Sequence, residues 1–329
     1  MSTARFRPAL LGILFLAVVP RAARAQMEPK FSFVKQEAPK PDAPPEIEWK
    51  AQIKGGFAFT SGNSQTTNGT LALTSSRKQG NNRLSFDAAA SYGRSNILVP
   101  VFAPDPAMPN MPSTTIMALD RRTIVSTNNW VMRGRYDRFI TTNNSAYASG
   151  QVASDRIAGK EFFGGGQIGY SRQLLKTDMH LLVAEIGYDY SYESYVQQPM
   201  KTLDPVSIHS ARLFVGETLK LTSATGATAS VEAFLNLNKE TKAFDANNAG
   251  VVGVDPFHDT RVVGKLGLTT TVYKRLSVAF GLTVRYDQNP APLPIPSGSQ
   301  MGAVFAEGFL PFANHTDLLS EMTLVYTFL

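Results

Sequence analysis

The sequence predicts an all-β protein: an antiparallel, up-and-down transmembrane β-barrel of about twelve strands. Three observations carry the prediction. From residue 47 onward, runs of alternating apolar and polar residues are separated by turn residues. The connections between these runs alternate between short and long. The first 25 residues read as an export signal, and no other segment is apolar enough to cross a membrane as a helix.

The signal comes first in the chain. Arg5 and Arg7 give a positive start, residues 9–19 are apolar, and Ala23-Arg24-Ala25 is a small-residue cleavage site. Cleavage is expected between Ala25 and Gln26. A membrane anchor is the alternative. It is disfavoured because a spanning helix needs about 20 apolar residues, and because Arg21 and Arg24 interrupt the end of this run. Residues 26–46, with Pro29, Pro39, Pro41, Pro44 and Pro45, read as a disordered or extended, Pro-rich periplasmic leader. Residues 47–329 are then the transmembrane β-barrel domain. Single barrels reach this length, and no second domain is expected.

Composition agrees with this plan. Hydrophobic residues make up 43% of the chain, yet mean hydropathy is near neutral, as when lipid-facing and lumen-facing residues alternate. There is no cysteine, so disulfides, thiolate nucleophiles and Cys-ligated metals are excluded. This suits export into an oxidising periplasm. Four of the basic residues lie in the signal, and without them the net charge falls from +6 to +2. No nucleic-acid partner is expected from so small a charge.

The predicted strands fall at 47–60, 65–79, 82–95, 119–138, 143–156, 159–175, 179–195, 207–222, 225–238, 259–273, 276–289 and 314–328. The clearest is the eleventh. Leu276, Val278, Phe280, Leu282, Val284 and Tyr286 share one face, and Ser277, Ala279, Gly281, Thr283 and Arg285 share the other. A helix would mix these sets. In the third, Leu84, Phe86, Ala88, Ala90 and Tyr92 oppose Ser85, Asp87 and Ser91. In the seventh, Leu182, Ala184, Ile186, Tyr188, Tyr190 and Tyr192 oppose Glu185, Gly187, Asp189 and Glu193. In the ninth, Ala229, Val231, Ala233, Leu235 and Leu237 oppose Thr228, Ser230, Glu232 and Asn236. In the last, Leu318, Met322, Leu324, Tyr326 and Phe328 oppose Glu321, Thr323 and Thr327. The eighth is less regular because Glu217 falls among its apolar residues, and the stretch near Tyr147 is weaker still.

The links sort by parity. After even strands they are short, as in Gln79-Gly80-Asn81-Asn82 and Lys274-Arg275. After odd strands four are long: 96–118, 196–206, 240–258 and 290–313. Short turns at one end and long loops at the other are the pattern of periplasmic turns and extracellular loops in a Gram-negative outer membrane. The even count puts both termini in the periplasm. Tyr92, Tyr188, Tyr190, Tyr192 and Tyr286 are expected at the outer interface, and Trp49, Trp130, Tyr273, Tyr326 and Phe328 toward the inner one.

Three stretches resemble a known family. They are Gly55-Gly56 through Thr60-Ser61-Gly62-Asn63-Ser64; Arg135-Tyr136-Asp137-Arg138-Phe139 with Asp155-Arg156-Ile157-Ala158-Gly159 and Gly164-Gly165-Gly166-Gln167-Ile168-Gly169-Tyr170; and Thr316-Asp317 to Val325-Tyr326-Thr327-Phe328. On these residues, and over most of 47–329, the chain is similar to the salt-induced outer-membrane proteins, largely uncharacterised bacterial barrels. The resemblance implies a barrel, the outer membrane and a link to salt or envelope stress, and supplies no catalytic residues. Such barrels usually end in an aromatic residue recognised during assembly, whereas here Phe328 is followed by Leu329.

Candidate lumen-lining residues carry both signs of charge: Asp87, Glu185, Arg212, Lys220, Glu232, Lys265, Arg285 and Glu321. About twelve strands leave little free bore once such side chains enter it. The lumen is therefore either a salt-bridged polar plug or a narrow pore whose charges tune selectivity. The expected function is a narrow ion or solute pore, or a structural envelope protein. Its partners would be outer-membrane lipids and the periplasmic chaperone and barrel-assembly machinery.

Two alternatives rest on particular residues. Ser207 and His209 share a strand face near the outer rim, as a barrel-embedded lipid hydrolase would need, but such an enzyme also needs a third orienting group, which a sequence does not show. The long loops point instead to surface binding. In 290–313, four prolines (Pro290, Pro292, Pro294, Pro296) precede Val304, Phe305, Phe309, Leu310 and Phe312. That loop could fold inward, pack on the rim or stay unstructured. His258, Asp259, His315 and Asp317 lie at predicted outer strand ends but lack a metal-site spacing, so neither metal nor other cofactor is expected. Gly164 to Gly166 lies within a strand pattern and is not a phosphate loop.

Overall fold

The computed structural model describes residues 47–60, 65–104, 112–197, 202–247, 251–294 and 310–327. The cleavage pair Ala25 and Gln26, the leader 26–46, and Val304, Phe305 and Phe309 lie outside the described residues. Fourteen strands follow in order: β1 (Ile47–Thr60), β2 (Gln65–Gln79), β3 (Asn82–Pro104), β4 (Pro112–Phe139), β5 (Asn144–Asp155), β6 (Lys160–Lys176), β7 (His180–Tyr195), β8 (Val206–Lys220), β9 (Thr225–Asn236), β10 (Glu240–Phe244), β11 (Val252–Val254), β12 (Arg261–Tyr273), β13 (Leu276–Asp287) and β14 (Thr316–Thr327).

Twelve of them form one closed antiparallel barrel in which each wall strand pairs with its sequence neighbours. β14 returns to β1 through the pairs Gln52 with Thr327, Ile53 with Tyr326, Lys54 with Val325 and Gly55 with Leu324. Closure removes the edges of the twelve-stranded wall. β10 and β11 form a separate two-stranded ribbon within the long connection between β9 and β12.

The even-to-odd turns are tight. Gln79 pairs with Asn82 across Gly80-Asn81, and Gly80 takes φ 53°, which a two-residue hairpin needs and glycine adopts without steric cost. The long connections differ from the expected loops in two places. β3 and β4 continue as a ribbon through most of 96–118, pairing as far as Pro104 with Pro112. Prolines normally break strands, but a two-stranded ribbon leaves half its N–H groups without partners, where proline is tolerated. The connection 240–258 carries the β10–β11 ribbon.

The burial pattern inverts that of a water-soluble protein. Outward side chains are apolar and exposed, including Ile168 (61%), Ile186 (59%), Leu266 (57%) and Leu318 (58%). Inward ones are polar and covered, including Asp137 (0%), Arg212 (1%) and Glu193 (2%). Glu217, the exception in the eighth run, lies near the turn end, and its carboxylate meets His180 Nδ1 at 2.9 Å. Trp130 differs from expectation: it pairs with Ala90 and with Ser154, next to the loop end of β5, and so sits in the loop-end half of the wall.

An apolar core also exists, at the loop end. Tyr195, Leu203, Val206 and Ile208 pack with Ala243 of β10 and Val254 of β11, and with Ala291 and Leu310 from the two ends of the 290–313 connection. The ends of that connection are joined by a Pro292–Phe312 bridge. Gly159 fits against it at φ 79°, where an added Cβ would lie 1.9 Å from the Pro292 carbonyl oxygen. The described parts of these three connections, 196–206, 240–258 and 290–313, therefore pack together as a cap over one end of the barrel.

Candidate functional site

The middle of the lumen is crossed by a chain of ion pairs that alternates in sign. Arg83 of β3 donates to Asp137 of β4 at 3.0 Å, and Arg135 of β4 donates to the other oxygen of Asp137 at 2.8 Å. Arg135 also reaches Glu185 of β7 at 2.7 Å. Arg212 of β8 reaches Glu185 at 2.7 Å and Glu232 of β9 at 2.5 Å. Three guanidinium groups thus face three carboxylates, and all six residues are buried. Charges removed from water persist only when paired in this way.

One row of residues shows how the plug is assembled. Tyr147, Gly169, Gly187 and Arg212 are directly opposed across β5, β6, β7 and β8. The Tyr147 ring lies over both glycines, and a Cβ at either would come within 2.6 Å of its hydroxyl oxygen. That hydroxyl accepts a hydrogen bond from Arg212 Nη1 at 2.7 Å. The Arg135 guanidinium sits 4.2 Å from the ring centroid, within cation–π range. Small residues on two strands let an aromatic on a third support the central arginine.

The rest of the lumen is not filled in this way. A cavity of about 440 Å³ runs beside the plug at the turn end, bounded by Arg133, Arg135 and Asp87 on the plug side. Its opposite wall is small and polar, as at Thr74 and Ser76 of β2, Thr228 of β9, Thr269 of β12 and Thr323 of β14. Lys50 and Lys54 of β1 and Glu321 of β14 bring charge to that wall. The open space is therefore off-centre, on the β12, β13, β14, β1 and β2 side.

A second polar layer lies between plug and cap, where a smaller cavity of about 80 Å³ is lined by Asp155, Lys160, Asp189, Arg261, Arg285 and Asp287, among others. Glu193 pairs with Lys160 and, at 3.2 Å, with Arg261. Asn236 joins wall to cap: its amide donates to Glu240 of β10 at 3.1 Å, and its carbonyl accepts from the Asp259 N–H at 2.9 Å. Burial pushes the Glu240 carboxyl up to about 7, with Arg261 opposing the rise and Glu193 adding to it. Burial, and next the Asp287 carboxylate, push Asp259 well above the usual carboxylate range.

Of the lumen candidates, Asp87, Glu185, Arg212, Glu232, Lys265 and Arg285 are each less than a tenth exposed, and Glu321 lines the larger cavity. Lys220 is exposed at the last position of β8, where the wall ends. The sequence reading passed over Arg83, Arg133, Arg135, Asp137 and Tyr147. The signal for three of these was present: Arg133, Arg135 and Asp137 alternate with Met132, Gly134 and Tyr136, which places the charges on one strand face.

Ser207 and His209 lie on the exposed flank of β8. Each bonds to a tyrosine: Ser207 to Tyr190 at 3.3 Å and His209 to Tyr188. Asp259 is buried beside Asn236, whereas His315 meets the Asp287 carbonyl at 3.0 Å. Among the described residues no group of three or more His, Asp or Glu side chains is placed to hold a metal ion.

Comparison with known proteins gives one family. No curated protein matches the chain. Among solved structures it is similar to the NanC porin, at 10% identity and a TM-score of 0.43, over 85% of this chain and 100% of that one. It is similar to the translocator domain of the autotransporter NalP from Neisseria meningitidis, at 11% and 0.37, over 86% and 88%. A third is a Pseudomonas aeruginosa FadL homologue, at 12% and 0.33, over 85% and 74%. The model of the family described as "Protein of unknown function, DUF481" matches residues 53–328, from within β1 to the far end of β14. The chain belongs to that family, the proteins of unknown function DUF481.

Proposed function

We propose that this chain is an outer-membrane barrel holding a narrow, off-centre passage for ions and small polar solutes, closed at the loop end by its cap. The outward apolar side chains support the membrane reading, since a barrel wall exposing Ile168, Ile186, Leu266 and Leu318 needs lipid against it. In this reading the turn end and both termini face the periplasm, and the cap faces outward.

The observation that carries the passage is the uneven filling of the lumen. The plug occupies the β3 to β9 side, while facing strands contribute Ser, Thr, Ala and Gly and leave the cavity of about 440 Å³. A barrel built only for stability gains nothing from an unfilled polar space, because buried polar groups need partners or water. Planar-bilayer recording tests this. Wild type is expected to show rare, small conductance steps. A variant with residues 240–254 replaced by a short Gly-Ser linker is expected to show frequent, larger ones. If neither exceeds the protein-free control, the passage reading fails.

The plug itself favours a second reading, a structural envelope protein, and the absence of steps in both proteins would support it. A link to salt stress rests on the family resemblance. It is tested by the protein's abundance across a sodium chloride series.

A further inference from the structure

We propose that the passage selects small anions, with Lys50 and Lys54 as its selectivity-determining residues. This deepens the passage reading and rests on it. Both lysines lie on β1, four positions apart and so about 13 Å along the strand. They share a face with Gln52, whose amide donates to Thr327 at 3.2 Å. Both line the cavity, beginning near its turn-end mouth.

The charges around the cavity are unequal. Lys50, Lys54, Arg83, Arg133 and Arg135 line it, against Asp87, Glu217 and Glu321. Three of these are engaged elsewhere. Arg83 shares Asp137 with Arg135, and Arg135 is held by Glu185 as well. Glu217 lies on the outward face of β8 with Leu213 and Val215, where it meets His180. Arg133 bonds Gln151 and lies within electrostatic reach of Asp87, so these two charges offset one another. Lys50 and Lys54 then face Glu321, a positive balance.

The position of the lysines matters as much as their number. The plug fixes its own charges in alternating pairs, so its field largely cancels within the lumen. The lysines stand on the small-residue wall, where a permeating ion must pass. A wall of low dielectric on the lipid side focuses the field of such charges into the passage and raises the local concentration of counter-ions. The neighbouring hydroxyl of Ser76 can donate a hydrogen bond to an anion that has shed part of its hydration shell.

The test is a reversal-potential measurement across a potassium chloride gradient, using the cap-replaced barrel so that currents are large. Chloride permeability several-fold above that of potassium is expected. Lys50→Glu with Lys54→Glu should invert the preference while steps persist, and Lys54→Gln alone should reduce it without inversion. Heat-dependent gel migration checks that each variant folds. Steps with no preference, or with a potassium preference, in the parent barrel overturn this inference and leave the passage standing. An unchanged preference in a folded Lys54→Gln overturns the role of the lysine. No steps in any protein overturn both.

Discussion

Arg212→Met is the sharpest perturbation of the plug. It keeps an unbranched apolar stem and removes the guanidinium with its charge. Arg212 bonds Glu185, Glu232 and Tyr147 at 2.7, 2.5 and 2.7 Å. Glu185 keeps Arg135, but Glu232 has Arg212 as its hydrogen-bonding partner and is 7% exposed. Removing one member of a buried ion pair typically costs about 3–5 kcal/mol, because the other charge stays buried and uncompensated. The expected loss is of that size. The assay is urea unfolding of the barrel in lipid vesicles, followed by fluorescence of Trp49 and Trp130. Both rings face outward, exposed by 55% and 37%, so each reports transfer from lipid to water. The double variant Arg212→Met with Glu232→Gln removes the stranded charge and should recover part of the loss, with a coupling of about 1–3 kcal/mol. A loss under about 1 kcal/mol in the single variant, or no coupling in the double, would refute the view that the plug is an interdependent charge chain.

Two further predictions use the same assay. Gly187→Ala places a Cβ 2.6 Å from the Ile168 carbonyl oxygen and 2.6 Å from the Tyr147 hydroxyl. Overpacking of this kind costs about 1–3 kcal/mol, and an unchanged midpoint would mean that Tyr147 does not lie across this strand. Glu240 links pH to the cap. Its folded pKa of about 7 lies above the ordinary 4.5. Its neutral form is thus favoured by folding, and that stability is fully present below the ordinary value and lost as pH rises through about 7. The span is worth up to about 3 kcal/mol. Wild type should weaken between acidic and mildly alkaline pH, and Glu240→Gln should flatten that slope; parallel curves for the two proteins would remove Glu240 as the cause.

How much of the barrel could be read in advance depended on what each face had to touch. Lipid demands an apolar outward residue at every second position, so β3, β7, β9 and β13 were legible as alternating runs. The weak stretch near Tyr147 has a physical cause. Its outward residues, Ala146, Ala148 and Gly150, are small, while its inward residue is an aromatic seated between two arginines. Polarity alone therefore mislabels the faces. Trp130 was misplaced because aromatic residues mark either interface, and only pairing with Ser154 fixes its height. The plug was partly hidden for a related reason. Glu185 and Arg212 could be read as inward from parity, but the partnership between β4 and β7 joins residues 50 apart in the chain, and no local pattern specifies it. Packing of 290–313 on the rim was one of three expectations, but the cap as a whole was not legible, since its apolar residues come from three separate connections.

The seam between β1 and β14 has a consequence for how the protein is made. Among the described residues it joins four pairs, whereas β13 and β14 are matched at eleven. It also brings together groups such as Gln52 and Thr327, 275 residues apart. The entropic penalty of bringing chain ends together grows with the length between them, and here few hydrogen bonds reward that step. The cylinder should thus complete last at this line during biogenesis and come undone there first under load, leaving the hairpins from β2 to β13 as the part that is already a sheet.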